Sequence, residues 1–177
     1  MQRRNCRIVV ALLRYFAARG LLDIRRAFSA LGAVKWPGRM QKIGDLVIDG
    51  GHNPDGVGAL TASLAEVYPG EKFTVIYGGF RDKAVPECLK IWAPLARKMI
   101  FTALSPEKRA SFPAGELMLL WEKIAPGVPC EKAENTADAL RLARRSPSGK
   151  IVISGSLFLA GEVLENVAGA DAAGDLV

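Results

Sequence analysis

From residue 46 onward the chain alternates short apolar runs with longer helical patterns, and that alternation restricts the fold more than any other feature. Leu46–Asp49, Phe73–Tyr77, Lys98–Thr102, Cys130–Lys132 and Lys150–Ser154 have the length and composition of buried strands. Pro54–Val67, Val85–Ala93, Pro113–Ile124, Thr136–Arg145 and Leu157–Val167 carry helical spacing. Apolar strands, each followed by a helix, must lie side by side with helices covering both faces. The expected fold is therefore α/β, a doubly wound and mostly parallel sheet, with ligands at the carboxyl ends of the strands.

Helices precede that sheet. Gln2 to Arg19 places Ile8, Val9, Leu12, Leu13 and Phe16 on one face and Arg3, Arg7 and Arg14 on the other. Gly20 ends this helix, and Asp23 is suited to cap a second one through Leu31. Ala33–Gln41 then runs as an extended connector around Trp36-Pro37-Gly38, the expected domain boundary. The divisions are residues 1–35, residues 36–167 and a frayed Ala-, Gly- and Asp-rich tail over 168–177.

The strand ends carry the chemistry. The first strand leads into Asp49-Gly50-Gly51-His52-Asn53-Pro54, in which Asn53 is a good N-cap and Pro54 suits the first helical position. Two glycines let a ligand approach the backbone, and the free N–H groups of the helix start favour an anion. Asp49 could accept hydrogen bonds from a ribose or an adenine, or orient Arg39, and His52 could donate to a phosphate. A capped helix with His52 as mere filling explains this motif equally well. Gly78-Gly79-Phe80-Arg81-Asp82-Lys83 after the second strand fits a phosphate or carboxylate contact, although a solvated loop is the simpler explanation. Ser154-Gly155-Ser156-Leu157 repeats the anion-binding geometry in weaker form. Trp36 and Phe158 suit packing better than stacking, and Asn5 carries no signal by itself.

Several function classes fall away. No GxxxxGK[ST] loop, no GxGxxG turn and no zinc spacing is present. The lone His52 has no neighbouring nucleophile, which argues against a hydrolytic triad. Cys6, Cys88 and Cys130 are scattered, which fits reduced thiols in a cytoplasmic protein. No apolar run reaches the roughly 20 residues of a membrane span. The net charge of +6 comes entirely from residues 1–43, which hold ten Lys and Arg against Asp23 alone. Such a patch suits an anionic substrate or an acidic partner domain, and no nucleic-acid-binding motif accompanies it.

Taken in order, Gln2-x-x-Asn5, Trp-Pro-Gly-Arg, Asp-Gly-Gly-His-Asn-Pro, Asp82-Lys83 and Ile-Ser-Gly-Ser-Leu-Phe-Leu-Ala-Gly-Glu resemble folylpolyglutamate synthase/dihydrofolate synthase of the Mur ligase superfamily. The resemblance runs from Gln2 to about Glu162. It implies that residues 1–35 end a central ATPase domain and that residues 36–167 form a glutamate-ligase domain. It implies an ATP-dependent reaction through an acyl phosphate, joining L-glutamate to dihydropteroate or a folate. By the same resemblance Asn5, Arg39 and Asp49 contact ATP, His52 lies beside the phosphates as the catalytic position, and Ser156 helps form the glutamate pocket. The phosphate loop, the Mg2+ ligands and most of the folate site would lie on an absent amino-terminal domain. The chain alone would then be an inactive monomer that binds ATP weakly. Two departures stand out, since the family usually has alanine at Gly51 and a second acid at Ala84. A stand-alone nucleotide- or glutamate-binding module, a basic interaction protein and another Mur-type ligase are the alternatives.

Overall fold

A computed structural model describes residues 2–34, 36–104, 110–145 and 149–174, with side chains described from residue 6 to residue 168. The chain divides into two compact units, Met1–Pro37 and Gly38–Val177. In the first, α1 (Gln2–Ala18) ends where Gly20 takes φ +72° and its N–H donates to the Ala17 carbonyl at 2.9 Å. Asp23 caps α2 (Ile24–Ala33) by accepting from the Arg25 and Arg26 N–H groups at 2.8 and 3.1 Å. Ile8, Leu12, Tyr15 and Phe16 are exposed along α1.

The second unit runs β1 (Gln41–Ile43), β2 (Leu46–Ile48), α3 (Pro54–Val67), β3 (Phe73–Tyr77), α4 (Val85–Trp92), β4 (Ala96–Thr102), α5 (Ala114–Ile124), β5 (Cys130–Ala133), α6 (Thr136–Arg144), β6 (Ile151–Ser154) and α7 (Leu157–Gly174). The strands form one sheet in the order β1-β2-β6-β3-β4-β5. All pairings are parallel except β1 with β2. The doubly wound, mostly parallel sheet is thus present. It carries one strand that the sequence pattern did not suggest, since β1 begins at Gln41, the last residue of the expected connector, and runs on to Ile43, where no element was expected. Its turn is Gly44-Asp45, with Gly44 at φ +56° in the left-handed position a two-residue hairpin demands. Helix α7 continues through Gly174, past the expected end at Val167.

Side-chain alternation sorts the core into two layers. Val47, Val75, Tyr77, Met99, Phe101 and Val152 face α3, α4 and α5, whereas Leu46, Ile48, Ile76, Ile100, Ile151 and Ile153 face α6 and α7. This topology locates the site. Strand β6 enters between β2 and β3, yet the helix after it lies on the opposite face from α3 and α4. Neighbouring strands whose following helices diverge leave a crevice at their carboxyl ends, where ligands bind in sheets of this kind.

Candidate functional site

Three glycine-bearing strand ends meet at this crevice. The Gly51 carbonyl accepts from the Gly155 N–H at 2.8 Å and the Ser154 hydroxyl at 3.3 Å, tying the end of β2 to the end of β6. Gly155 has φ +106°, and a Cβ there would lie 2.4 Å from the Gly78 carbonyl oxygen at the end of β3. A Cβ on Gly50 would lie 2.1 Å from Leu157 Cδ2 and 3.3 Å from its Cα, so the start of α7 rests directly on the β2 turn. Gly50→Ala is therefore expected to destabilise the second unit by about 1–3 kcal/mol through overpacking. Adding Leu157→Ala should recover most of that loss. A urea-unfolding cycle checks the pair, and purely additive effects would rule this contact out.

Asp49 organises the first of these ends. It is buried, its Oδ1 accepts from the Gly51 N–H at 2.8 Å, and its Oδ2 accepts from the Met40 N–H at 3.0 Å. The Arg39 guanidinium stands 3.9 Å from Oδ1. Gly50 N–H donates to the Gly38 carbonyl at 2.8 Å, and Gly38 N–H donates to Gln41 Oε1 at 2.9 Å, which fixes the turn that carries Arg39. Burial raises the Asp49 carboxyl above its ordinary 3.8, and the two N–H donors and the Arg39 charge offset part of that rise. The folded state thus holds this proton more tightly than the unfolded chain. The group favours folding below its unfolded pKa, and that contribution is lost as the pH rises through the raised folded value. As the pH rises from below 3.8 through the raised folded value, wild-type stability should therefore fall relative to that of Asp49→Asn. Urea unfolding of both proteins across this range measures it, and a relative rise would contradict the assignment.

Helix α3 begins beside this carboxylate. Asn53 Oδ1 accepts the Gly56 N–H at 2.7 Å, and Pro54 occupies the first turn, as the sequence pattern predicts. His52 is half-buried, with Nδ1 3.0 Å from the Gly50 carbonyl oxygen. A carbonyl oxygen only accepts, so we assign the proton to Nδ1, which leaves Nε2 without this tie. Ser156 is fully buried, and its Oγ accepts from the Phe158 N–H at 3.0 Å, capping α7. Glu162, the last residue of the Ile-Ser-Gly-Ser motif, accepts from the Thr136 hydroxyl and so joins α7 to the start of α6.

Arg39, Asp49 and His52 are gathered at the end of β2, and Ser156 follows the adjacent β6. The side chain of Asn5 lies outside the described residues. The Gly78–Lys83 loop is tied into the fold. Arg81 pairs with Glu116 at 2.7 Å and lies 4.8 Å over the Phe112 ring, while Lys83 stands 3.9 Å from Asp82. Met40 and Leu157 are the contributors that the sequence pattern did not single out. Neither carries a residue-type signal, because Met40 acts through its amide and Leu157 through its position.

The comparisons decide which family this geometry serves. The family model described as Mur ligase, glutamate ligase domain, matches residues 38–157. The chain belongs to the Mur ligase family. This Mur ligase chain is 28% identical over 187 residues to a folylpolyglutamate synthase of Lacticaseibacillus casei, a match covering 95% of the chain and 39% of that protein. Among solved structures it resembles the Mycobacterium tuberculosis folylpolyglutamate synthase complexed with ADP and AMPPCP, with TM-score 0.70 and 27% identity over 82% of this chain and 36% of that one. The Thermotoga maritima folylpolyglutamate synthase matches with TM-score 0.69 and 28% identity over 86% of this chain and 36% of that one. The Mur ligase chain therefore spans less than half the length of these relatives. Among the described residues, no helix is long and apolar enough to cross a membrane.

Proposed function

We propose that this chain forms the glutamate-ligase side of an ATP-dependent enzyme that joins L-glutamate to dihydropteroate or a folate. The observation that carries this reading is the cluster of Arg39, Asp49, the Gly50-Gly51 turn and the α3 N-terminus at the switch point of a Mur ligase domain. In the reaction proposed, a substrate carboxylate oxygen attacks the γ-phosphorus of ATP. The bond from that phosphorus to the bridging oxygen breaks, and ADP leaves. The glutamate amine then attacks the acyl carbon, loses its proton, and phosphate departs from the tetrahedral intermediate. Such chemistry needs positioning and neutralisation of charge more than covalent participation by the protein. Arg39 and Asp49 form the nucleotide side of the site, His52 presents Nε2 toward the phosphates, and the Ser156 turn shapes the glutamate side; Asn5 is proposed as an ATP contact on the family resemblance alone.

Mg2+ is the ion such a reaction uses. Among the described residues no group of three or more His, Cys, Asp or Glu could hold a metal ion, so these residues do not fit a resident site. We place the metal ligands and the phosphate loop on an ATPase domain outside these 177 residues. Free thiols at Cys6, Cys88 and Cys130 are consistent with a cytoplasmic setting.

The expected result is no ADP formation by the 177-residue chain with ATP, Mg2+, L-glutamate and dihydropteroate or a folate. Glutamylated product should appear once a phosphate-loop domain of a Mur-type folate ligase is fused ahead of Met1. Turnover by the chain alone would overturn the division of labour. A folded fusion that binds ATP yet forms no product would overturn the ligase assignment. A second reading, a non-catalytic binding module, draws on the second unit having a complete core on both sheet faces.

A further inference from the structure

No residue from 6 to 34 is buried, so α1 and α2 touch one another without enclosing a core. Of the fourteen exposed large apolar side chains among the described residues, ten lie in the first unit. Ile8, Leu12, Tyr15 and Phe16 form a stripe at helical spacing along α1, and Phe28 and Leu31 add one turn of α2. Nine of the ten lie between residues 8 and 34. At about half exposure each, they present on the order of 900 Å² of apolar surface. Soluble monomers rarely expose a patch above about 600 Å², whereas one partner gives roughly 800 Å² to a standard interface. Helices of 17 and 10 residues are also marginal in water without packing.

The charges decide what can cover this surface. Residues 1–37 hold eight Lys and Arg against Asp23 alone. An acidic partner would have to meet those cations, but Arg7 and Arg14 fall on the side of α1 opposite the stripe. Arg19, at the end of the stripe, lays its guanidinium over the Tyr15 ring at 3.5 Å and is already engaged. A stripe so nearly free of charge is complementary to a copy of itself. Two hairpins related by a two-fold axis bury both stripes and leave Arg7 and Arg14 of each in water, as in a four-helix bundle.

We propose that the α1–α2 surface is a homodimer interface, covered by the same surface of a second copy of this chain. This departs from the monomer that the family resemblance implies. It stands apart from the ligase reading, because it uses no residue of the strand-end crevice.

Sedimentation velocity of the 177-residue chain from about 1 to about 100 µM tests the pairing. A monomer–dimer equilibrium that stops at the dimer is expected. The cations of the two copies repel, so the dimer should tighten at least about threefold between about 50 and 500 mM NaCl. Leu12→Glu/Phe16→Glu should weaken association at least about hundredfold. The added acids lessen the net repulsion between copies, so the weakening would come from the apolar contact. Both positions are exposed, and urea unfolding of the second unit should be unchanged. Leu119→Glu on α5, at a leucine 60% exposed, is the control and should leave the dimer constant within about twofold. Amide exchange over residues 8–31 should slow as the dimer forms.

A wild-type chain still monomeric at about 100 µM would overturn the proposal and leave the surface to a different protein. Assemblies that keep growing past the dimer would overturn it as well. So would equal weakening by Leu119→Glu. Association that weakens with salt would show contact through the arginines to an anion, and the apolar pairing would fall.

Discussion

Gly155→Ala is expected to destabilise the second unit by about 3 kcal/mol or more, and to abolish the native fold if the margin is small. Two independent costs add at this position. The φ of +106° is a conformation that L side chains rarely adopt, which costs on the order of 1–3 kcal/mol. The added Cβ would also lie 2.4 Å from the Gly78 carbonyl oxygen and 2.9 Å from the Tyr77 ring. Neither neighbour can give way. Gly78 is itself confined, since a Cβ there would meet the Thr102 carbonyl at 2.9 Å, and Tyr77 is fully buried. Gly161, six residues on in α7, provides the control. A Cβ there meets nothing, so Gly161→Ala should be neutral or stabilising by up to about 1 kcal/mol. Chemical unfolding of the two variants should therefore separate them by several kcal/mol. A Gly155→Ala protein within about 1 kcal/mol of wild type would show that the strand ends are not packed against one another as described.

This constraint explains why some of the site was legible in the sequence and some was not. Local chemistry is readable where one residue type serves one short-range role. Asn53 before Pro54 signalled the α3 start, and Asp23 signalled the α2 cap, because each cap binds an amide two or three residues away. Alternating apolar runs signalled the parallel sheet because burial on both faces leaves no polar side. Strand β1 gave no such signal, since Gln41-Lys42-Ile43 is a partly exposed edge with a single apolar residue. The partners of Asp49 were hidden for another reason. A backbone amide nine residues away, held in a left-handed turn, depends on how the chain returns and leaves no mark on residue type. Arg81 is the converse case. Its position at a strand end suggested an anion contact, but Glu116, 35 residues later, takes it in the folded chain.

Trp121→Ala should be comparably damaging, at about 3–5 kcal/mol, and it tests how the far edge of the sheet supports the site. Helix α5 has only two fully buried residues, Leu117 and Trp121. The Trp121 ring packs edge-on against Phe101 of β4 at a centroid distance of 6.3 Å, and its Nε1 donates to the Val128 carbonyl at 3.0 Å just before β5. Removing the indole opens a large cavity and leaves that carbonyl without its donor, so transfer and hydrogen-bond losses coincide. Trp121→Phe keeps most of the apolar contact and loses chiefly the N–H, for which about 1 kcal/mol is expected. The thermal midpoint of Trp121→Ala should fall by roughly 10 °C, at about 2–4 °C per kcal/mol for a domain of this size. Phe101 lies near the end of β4, one residue before Thr102, whose carbonyl closes on Gly78 at the crevice. Loosening α5 should therefore speed amide exchange first in β4 and β5 and then at Gly78–Phe80, while β1 and β2 stay protected longer. Uniform loss of protection across all six strands would show a single cooperative unit, and the edge would then have no separate hold on the site.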